Sequence, residues 1–368
     1  MTDEVLYDYW WAAMPRANHV RVGAIAFAAG STRRLFEAGK SELMSIEGIS
    51  EKHADDIIKR RSGWDPEGEY DKFINTGARF VPWYSDEYPK RLKDIHGKPF
   101  ALFAAGSLPD DGAMSVAVIG ARNCSGYGRM MAQKFGSDLG AAGISVISGM
   151  AYGIDGISQT AALDAGGVSF GILGCGVNTC YPSSNRKLYD RLKESGGVIS
   201  EYGIYTEPRA CFFPARNRII SALSDAVVVI EARKESGTMI TVDMALEQGR
   251  EVAIVPGRIT DPLSTGCISL WKQGAVPVTC AEDVISLVKG SYSVSENEPV
   301  LMKVSLPDDE KKIYALLEPY AISVGELSDM AGMELRKVLL SLVELCLKGL
   351  AAEVSTGHYV KVRECLVV

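Results

Sequence analysis

The chain has 368 residues, 47% of them hydrophobic, and a formal net charge of −7 at pH 7. This composition excludes a disordered polymer, and the length allows a full core divided over two or three domains. The negative charge also excludes indiscriminate adhesion of the whole surface to nucleic acid, so any such binding requires basic residues concentrated in one place.

The start of the chain and its cysteines bear on where the protein works. The segment MTDEVLYDYWW lacks the basic start and apolar stretch of a signal peptide, and no apolar run is long enough to span a membrane. These features predict a cytoplasmic protein that makes no membrane contact. The eight cysteines form no CxxC pair, which indicates buried thiols in a reducing compartment and no metal site.

Residues 1–80 are predicted to form a helical domain of the helix-hairpin-helix or SAM-like type. Apolar spacing is helical over 3–61, and the segment 43–58 has the pattern of a helix, a tight turn at Gly48 and a second helix. Such a turn can bind a phosphate without sequence preference. Ser50 stands where the motif usually has a second glycine, so a purely structural module is favoured and DNA contact is the alternative.

A Rossmann-like domain is predicted over residues 81–289. Short apolar runs alternate there with amphipathic stretches, a pattern typical of a parallel sheet covered by helices on both faces. Ligands of such sheets lie beyond the carboxyl ends of the strands. The predicted strands are 101–104, 115–119, 145–147, 169–172, 198–200, 226–230 and 251–255.

The remainder is predicted to form a linker and a small last domain. Residues 290–305 are polar and lack any period, which is typical of a linker, and residues 306–368 have the order of a winged helix, with three helices before a hairpin. DNA reading by a winged helix needs a basic recognition helix. The predicted recognition helix carries charges of both signs, so contact with a protein is expected at least as strongly as contact with DNA. These charges are Arg336, Lys337 and Lys348 against Glu334 and Glu344.

A glycine-rich turn follows the predicted strand 115–119. Its candidate phosphate contacts are Gly120, Arg122, Ser125 and Gly128, ahead of a predicted helix. The turn lets an anion approach the backbone, the helix N-terminus orients N–H groups, and the guanidinium can fork onto the same phosphate. The segment matches neither a dinucleotide fingerprint nor a P-loop, so we predict no bound cofactor.

A basic and aromatic segment lies between residues 209 and 218. It holds three arginines, two phenylalanines and no acid, a combination that suits a strand with unpaired bases. The candidate contacts are Phe213, Arg216, Asn217 and Arg218, and one of the two phenylalanines is expected in the core.

A third loop follows the predicted strand 226–230. Lys234, Ser236, Gly237 and Thr238 stand at a helix start, which is a further place for a phosphate. Loops that all follow parallel strands line one edge of the sheet. Several phosphates in a row indicate a polymer rather than a nucleotide.

Together these segments resemble the DNA-processing protein A family, also called DprA or Smf. The resemblance covers essentially the whole chain and is densest over 116–275. It implies a protein that binds and protects single-stranded DNA, forms a homodimer through the Rossmann-like domain and loads RecA during natural transformation, without catalysis. The motifs include VIGARNCSGYG, ISGMAYGID, FPARNRIISALSDAVVVIEA and SGTMITVDMALEQGREVAIVPG.

The resemblance assigns family contacts to numbered positions. Its Gly-[Ser/Thr]-Arg element falls on 120–122, where Ala121 has lost the hydroxyl, and its Arg-Asn-Arg element falls on 216–218. Its second glycine turn falls on 148–155, which adds Gly149 and Gly153 to the candidates. Two further departures are Glu235 in place of a lysine and Ile268 in place of an asparagine.

Two alternatives come from other functional classes. A nucleotide-processing phosphoribohydrolase needs a carboxylate over the glycosidic carbon, and the acids near the loops are Asp155, Asp243 and Glu247. Asp155 is expected to cap the following helix and Glu247 to face solvent. An adaptor that works through the winged helix alone would leave the phosphate loops unexplained.

Overall fold

The computed structural model describes residues 3–14, 19–290, 302–362 and 365–367. The chain divides into two compact units, residues 1–292 and 293–368. Of the predicted linker at 290–305, residues 291–301 lie outside the described residues. No helix in the described ranges is long and apolar enough to cross a membrane.

Residues 3–14 and 19–74 are mainly helical. The predicted turn is present: Gly48 has φ +86°, and Ser50 begins the next helix by accepting a hydrogen bond from the His53 N–H. Tyr9 contacts Phe73 and Phe103 with ring centroids 4.9 and 6.1 Å apart, so an aromatic core joins these helices to the sheet. The helices are α1 (Asp3–Ala13), α2 (His19–Ala29), α3 (Thr32–Glu37), α4 (Lys40–Met44), α5 (Glu51–Arg61) and α6 (Pro66–Ile74).

A nine-stranded sheet forms the centre of the first unit. Its strands are β1 (Arg79–Pro82), β2 (Ala101–Gly106), β3 (Ser115–Ile119), β4 (Ser145–Ser148), β5 (Ser169–Ile172), β6 (Gly196–Ser200), β7 (Ala226–Val229), β8 (Glu251–Ile254) and β9 (Val276–Pro277). Their order is β1-β2-β6-β5-β4-β3-β7-β8-β9.

The sheet is dominated by parallel pairing, as predicted. The seven strands from β6 to β9 in this order are parallel, whereas β2 pairs antiparallel with both β1 and β6. A buried apolar run indicates a strand but not its direction, so the antiparallel edge was not evident from the sequence. The strand order reverses at β3 and β7, which makes the crevice beyond their carboxyl ends the expected ligand site.

Helices cover both faces of the parallel part. Alternate residues of β3 enter separate cores, with Val116 and Val118 on one face and Ala117 and Ile119 on the other. Gly136 lets α7 approach α8 closely, since a Cβ there would lie 2.2 Å from the Ser158 carbonyl oxygen. The helices are α7 (Gly126–Ala141), α8 (Ile154–Asp164), α9 (Arg186–Glu194), α10 (Phe212–Ala222), α11 (Gly237–Glu247), α12 (Thr265–Lys272) and α13 (Ala281–Val288).

The second unit contains three helices and the predicted hairpin, and its classification as a winged helix stays a prediction. A three-stranded antiparallel sheet has the order β11-β13-β12, and β10 pairs with β14 in parallel. The elements are β10 (Met302–Val304), α14 (Asp308–Leu316), β11 (Ile322–Ser323), α15 (Val324–Ala331), α16 (Leu335–Leu347), β12 (Ala351–Ser355), β13 (His358–Lys361) and β14 (Cys365–Val367).

The cysteines differ from the prediction of uniformly buried thiols. Cys175 and Cys267 are buried, but Cys211 is exposed because it lies in the loop just before α10. The cysteines at 124, 175, 180, 211, 267, 280 and 346 are free thiols.

Candidate nucleic-acid interface

A cavity of about 640 Å³ lies at the point where the strand order reverses. It is lined by the segment 119–122 after β3, by Tyr181 after β5, and by residues 236–238 after β7. Residues at the start of α10 complete the wall, including Phe213. Parallel topology therefore brings the three predicted loops to one edge of the sheet, as expected for loops that follow parallel strands.

Arg122 is the exposed cation of this cavity. Its guanidinium carbon lies 5.7 Å from the centroid of the Phe213 ring, and no carboxylate in the described part of the chain pairs with it. It also lines a second cavity of about 460 Å³ beside the loop after β4. A guanidinium between two open cavities, without an internal counter-ion, is available to an external anion.

An aromatic pair lies beside this guanidinium. The Phe213 and Tyr181 rings stack with centroids 5.3 Å apart and an angle of 26°, and Tyr181 is 43% exposed. Phe212 is 1% exposed and stacks on Tyr202, so it is the core member of the two phenylalanines. The sequence reasoning missed Tyr181, although it stands in the loop after a predicted strand, where ligand contacts were expected.

The N-terminus of α11 opens into the same cavity. Ser236 is its N-cap residue, but the hydroxyl oxygen caps no backbone N–H and is buried without a hydrogen-bond partner. A Cβ on Gly237 would meet no atom within 4 Å, so the backbone is open there, and Thr238 also lines the wall. The unsatisfied N–H groups and the helix dipole favour an anion at this end. Lys234 is exposed just before it.

Arg216 lies in the floor of the cavity and is only 4% exposed. Its Nη1 donates to the carbonyl oxygens of Gly149, at 2.8 Å, and Ile172, while its Nε donates to the Asn217 Oδ1 at 2.9 Å. Burial lowers the pKa of Arg216, and the negative charge of Asp155 opposes that effect. Arg216 therefore holds the loop after β4 to the end of β5, and it contributes positive charge from the floor of the cavity.

Arg218 does not line either cavity, which corrects its prediction as a phosphate contact. It is 5% exposed, and its two terminal nitrogens donate to the Glu201 carboxylate at 2.7 and 2.5 Å. Its Nε donates to the Gly97 carbonyl oxygen at 2.9 Å. All three guanidinium nitrogens thus donate hydrogen bonds within the protein, so Arg218 is a structural residue.

Ser125 and Gly128 are also corrected, because a protein carboxylate occupies the N-terminus of α7. The Ser125 N–H donates to the Glu231 Oε2 at 2.9 Å, and the Ser125 hydroxyl is hydrogen-bonded to Oε1. A Cβ on Gly128 would lie 2.2 Å from that Oε2. The Ser125 donors are therefore satisfied by Glu231, which is 1% exposed, and the Gly128 N–H donates to the Ser125 hydroxyl at 3.0 Å.

The other predicted glycines let protein segments approach one another, whereas they were expected to admit a ligand. A Cβ on Gly120 would lie 2.8 Å from the Glu231 carbonyl oxygen, and one on Gly149 would lie 2.1 Å from the Arg216 guanidinium. Gly153 has φ +72°, and its Cβ would lie 2.3 Å from the Ala121 carbonyl oxygen. These glycines therefore let the loops pack closely around the site.

Asp155 is the carboxylate that lines the larger cavity. It accepts a hydrogen bond from the Gly149 N–H at 3.1 Å, and burial raises its pKa. It thus fixes the loop after β4, and it does not cap α8, whose N-cap is Gly153. Asp243 and Glu247 are exposed on α11 and line neither cavity.

Comparisons with known proteins identify the family. Residues 79–289 match the family model described as DNA recombination-mediator protein A. Protein Smf of Escherichia coli is 39% identical over 291 residues, 77% of each chain, and the DNA processing protein DprA of Bacillus subtilis is 38% identical over 58% of this chain and 72% of that protein.

Two solved structures agree with this result. The X-ray structure of DprA from Streptococcus pneumoniae is 31% identical, covers 78% of this chain and 98% of its own, and gives a TM-score of 0.65. A Helicobacter pylori DprA structure, described for its single-stranded DNA binding mode, is 26% identical over 59% of this chain and 97% of its own, with a TM-score of 0.52. The chain belongs to the DNA recombination-mediator protein A family, and its curated relatives include Smf and DprA proteins.

Proposed function

We propose that this chain binds single-stranded DNA in the cavity where the strand order reverses. The observation that carries the proposal is the exposed Arg122 guanidinium, which lacks a carboxylate partner among the described residues and lies 5.7 Å from the Phe213 ring. A cation for a phosphate beside aromatic rings for a base is the combination that single-stranded nucleic acid needs.

Two anion positions support a polymer ligand. One phosphate is held by Arg122, and the next is held by the open N-terminus of α11 with the Ser236 hydroxyl, Gly237 and Thr238. A base can stack on the exposed part of the Tyr181–Phe213 pair, and the Asn217 Nδ2 adds a donor at the wall. Lys234 adds positive charge at the rim.

The cellular role is proposed from the family. The family name describes recombination mediators, and the Helicobacter pylori relative is described for single-stranded DNA binding. We propose that the chain protects incoming single strands, loads RecA onto them in natural transformation, works in the cytoplasm and forms a homodimer through the Rossmann-like domain. A strand held by its phosphates and one or two bases keeps most bases accessible to a recombinase.

The phosphoribohydrolase alternative receives no support from the cavity. Its lining carboxylate is Asp155, which is buried and bonded to the Gly149 N–H. A general base must reach the water or proton that it activates, and a carboxylate committed to a loop lacks that freedom. The proposal therefore includes no catalytic step.

The second unit is proposed to contact protein. Five exposed apolar side chains outnumber the two exposed basic residues of α16, Arg336 and Lys337, whereas a helix that reads DNA contacts the groove through basic residues. The exposed apolar side chains are Leu335, Leu339, Leu340, Val343 and Leu347.

The test is a fluorescence-anisotropy titration of labelled oligo-dT and of a duplex of equal length. Both are measured at two salt concentrations with mononucleotides as competitors. We expect salt-sensitive binding of the single strand that mononucleotides do not displace, followed by faster RecA filament formation on the bound strand. Weak oligo-dT binding that mononucleotides displace would refute the proposal and favour the hydrolase.

A further inference from the structure

A buried carboxylate occupies the place where Rossmann-like domains receive a phosphate. Glu231 follows β7, is 1% exposed, and points its side chain at the N-terminus of α7, the helix after the first parallel strand. In parallel sheets of this order, the turn between the first strand and its helix is the usual phosphate position.

The contacts of this carboxylate are those expected of a bound anion. One oxygen accepts from the Ser125 backbone N–H at 2.9 Å, and the other is hydrogen-bonded to the Ser125 hydroxyl. The same hydroxyl oxygen accepts from the Gly128 N–H at 3.0 Å, and the absent side chain of Gly128 leaves room for the carboxylate. A backbone N–H, a hydroxyl oriented by a second N–H, and a glycine together form an anion cradle.

The main chain of Glu231 is fixed as firmly as its side chain. Its carbonyl oxygen accepts from the Ala121 N–H at 2.8 Å, and Gly120 packs directly against that carbonyl. The carboxylate therefore cannot leave the cradle by a side-chain rotation without exposing donors that have no other partner in the described structure. The cradle is filled by the protein itself.

We infer that Glu231 is a built-in substitute for phosphate and closes the mononucleotide subsite of this fold. A free phosphate or nucleotide would have to displace a covalently tethered anion from its own donors. Phosphate binding is then confined to Arg122 and the N-terminus of α11, so a ligand gains affinity only by offering successive phosphates. The closure of the cradle follows from the contacts of Glu231 alone, whereas the preference for a ligand with successive phosphates rests on the proposed function.

The test removes the tethered anion and offers a free one. In Glu231→Ala, the Ser125 N–H and hydroxyl lose their acceptor, and we expect inorganic phosphate to raise the unfolding midpoint by roughly 2–3 °C at ten times its Kd. Matched chloride at equal ionic strength is the reference. Wild type and the exposed-charge control Glu247→Ala should lack this gain, and Glu231→Gln, which keeps the cradle filled, should lack it too.

Each outcome decides the inference. A phosphate-specific gain in Glu231→Ala alone, with dTMP binding gained in parallel, supports it; if that variant folds only when phosphate is present during refolding, that also supports it. An equal phosphate response in wild type, or a folded Glu231→Ala without any response, overturns it. If wild type does not bind oligo-dT, the proposed function is refuted, but the result of the phosphate experiment is unaffected.

Discussion

Removal of the Arg122 guanidinium is the sharpest test of the proposed DNA site. The side chain is exposed and lacks a carboxylate partner among the described residues, so Arg122→Ala breaks no internal ion pair. Its one aromatic contact, with Phe213 at 5.7 Å, contributes about 0.5–1 kcal/mol at an exposed position. We therefore expect a folded variant whose unfolding midpoint falls by at most about 4 °C.

The expected loss of affinity follows from one phosphate contact. A hydrogen bond to a charged group contributes about 1.5–3 kcal/mol, or roughly 10- to 150-fold in Kd. Solvent screening at an exposed side chain places the expectation near the lower end, about tenfold. Because a phosphate contact on a single strand releases about 0.7 of a counter-ion, the slope of log K against log salt should become shallower by about that amount.

The assay is anisotropy of labelled oligo-dT at several salt concentrations, with two comparison variants. Arg122→Lys keeps the charge and loses the planar fork, so it should restore the salt slope and only part of the affinity. Lys272→Ala removes an exposed cation at the end of α12, where the chain turns toward the amino end of β9 on the opposite edge of the sheet. Its affinity and slope should equal those of wild type.

Two results would refute this reasoning. Unchanged affinity and slope in Arg122→Ala would remove Arg122 from the interface. An equal loss in Lys272→Ala would mean that binding follows net charge and not the cavity.

Three further predictions test the neighbouring residues. Tyr181→Ala should weaken oligo-dT binding by about 1–3 kcal/mol because a stacking face is lost, without changing the salt slope; a changed slope in the same titration would contradict a stacking role. Arg218→Ala leaves an unpaired buried carboxylate, so urea unfolding should show a loss of about 3–5 kcal/mol in the free energy of unfolding, while the folded variant binds oligo-dT as wild type does; weaker binding would restore Arg218 as a contact. Burial raises the pKa of Cys267 to about 12, so its thiolate fraction at pH 8 is about one in ten thousand and stays low until the pH rises toward that value. A thiol reagent at pH 8 should therefore modify the exposed Cys211 before the buried Cys267 in the native protein, and equal rates would contradict the burial of Cys267.

The sequence alone determined the elements and the edge of the sheet that carries the site. Continuous apolar runs marked seven of the nine strands of the large sheet, and its two edge strands, β1 and β9, gave no such signal. Parallel strands separated by helices place the loops that follow them at one edge, so Arg122 and residues 236–238 could be brought together before any coordinates. Both signals are local, because periodicity and glycine-rich turns are properties of adjacent residues.

Tertiary structure decided which polar groups are available to a ligand. Ser125 has the residue type and the position of a phosphate contact, but it is hydrogen-bonded to Glu231, which is 106 residues away in the sequence. Arg218 stands in a basic and aromatic segment, yet Glu201 neutralises it. Tyr181 joined the site only because the loop after β5 places its ring on Phe213. The sequence pattern gives a residue's chemistry, whereas its partner depends on packing between segments distant in the chain, and a polar group already satisfied by the protein gains little from a ligand.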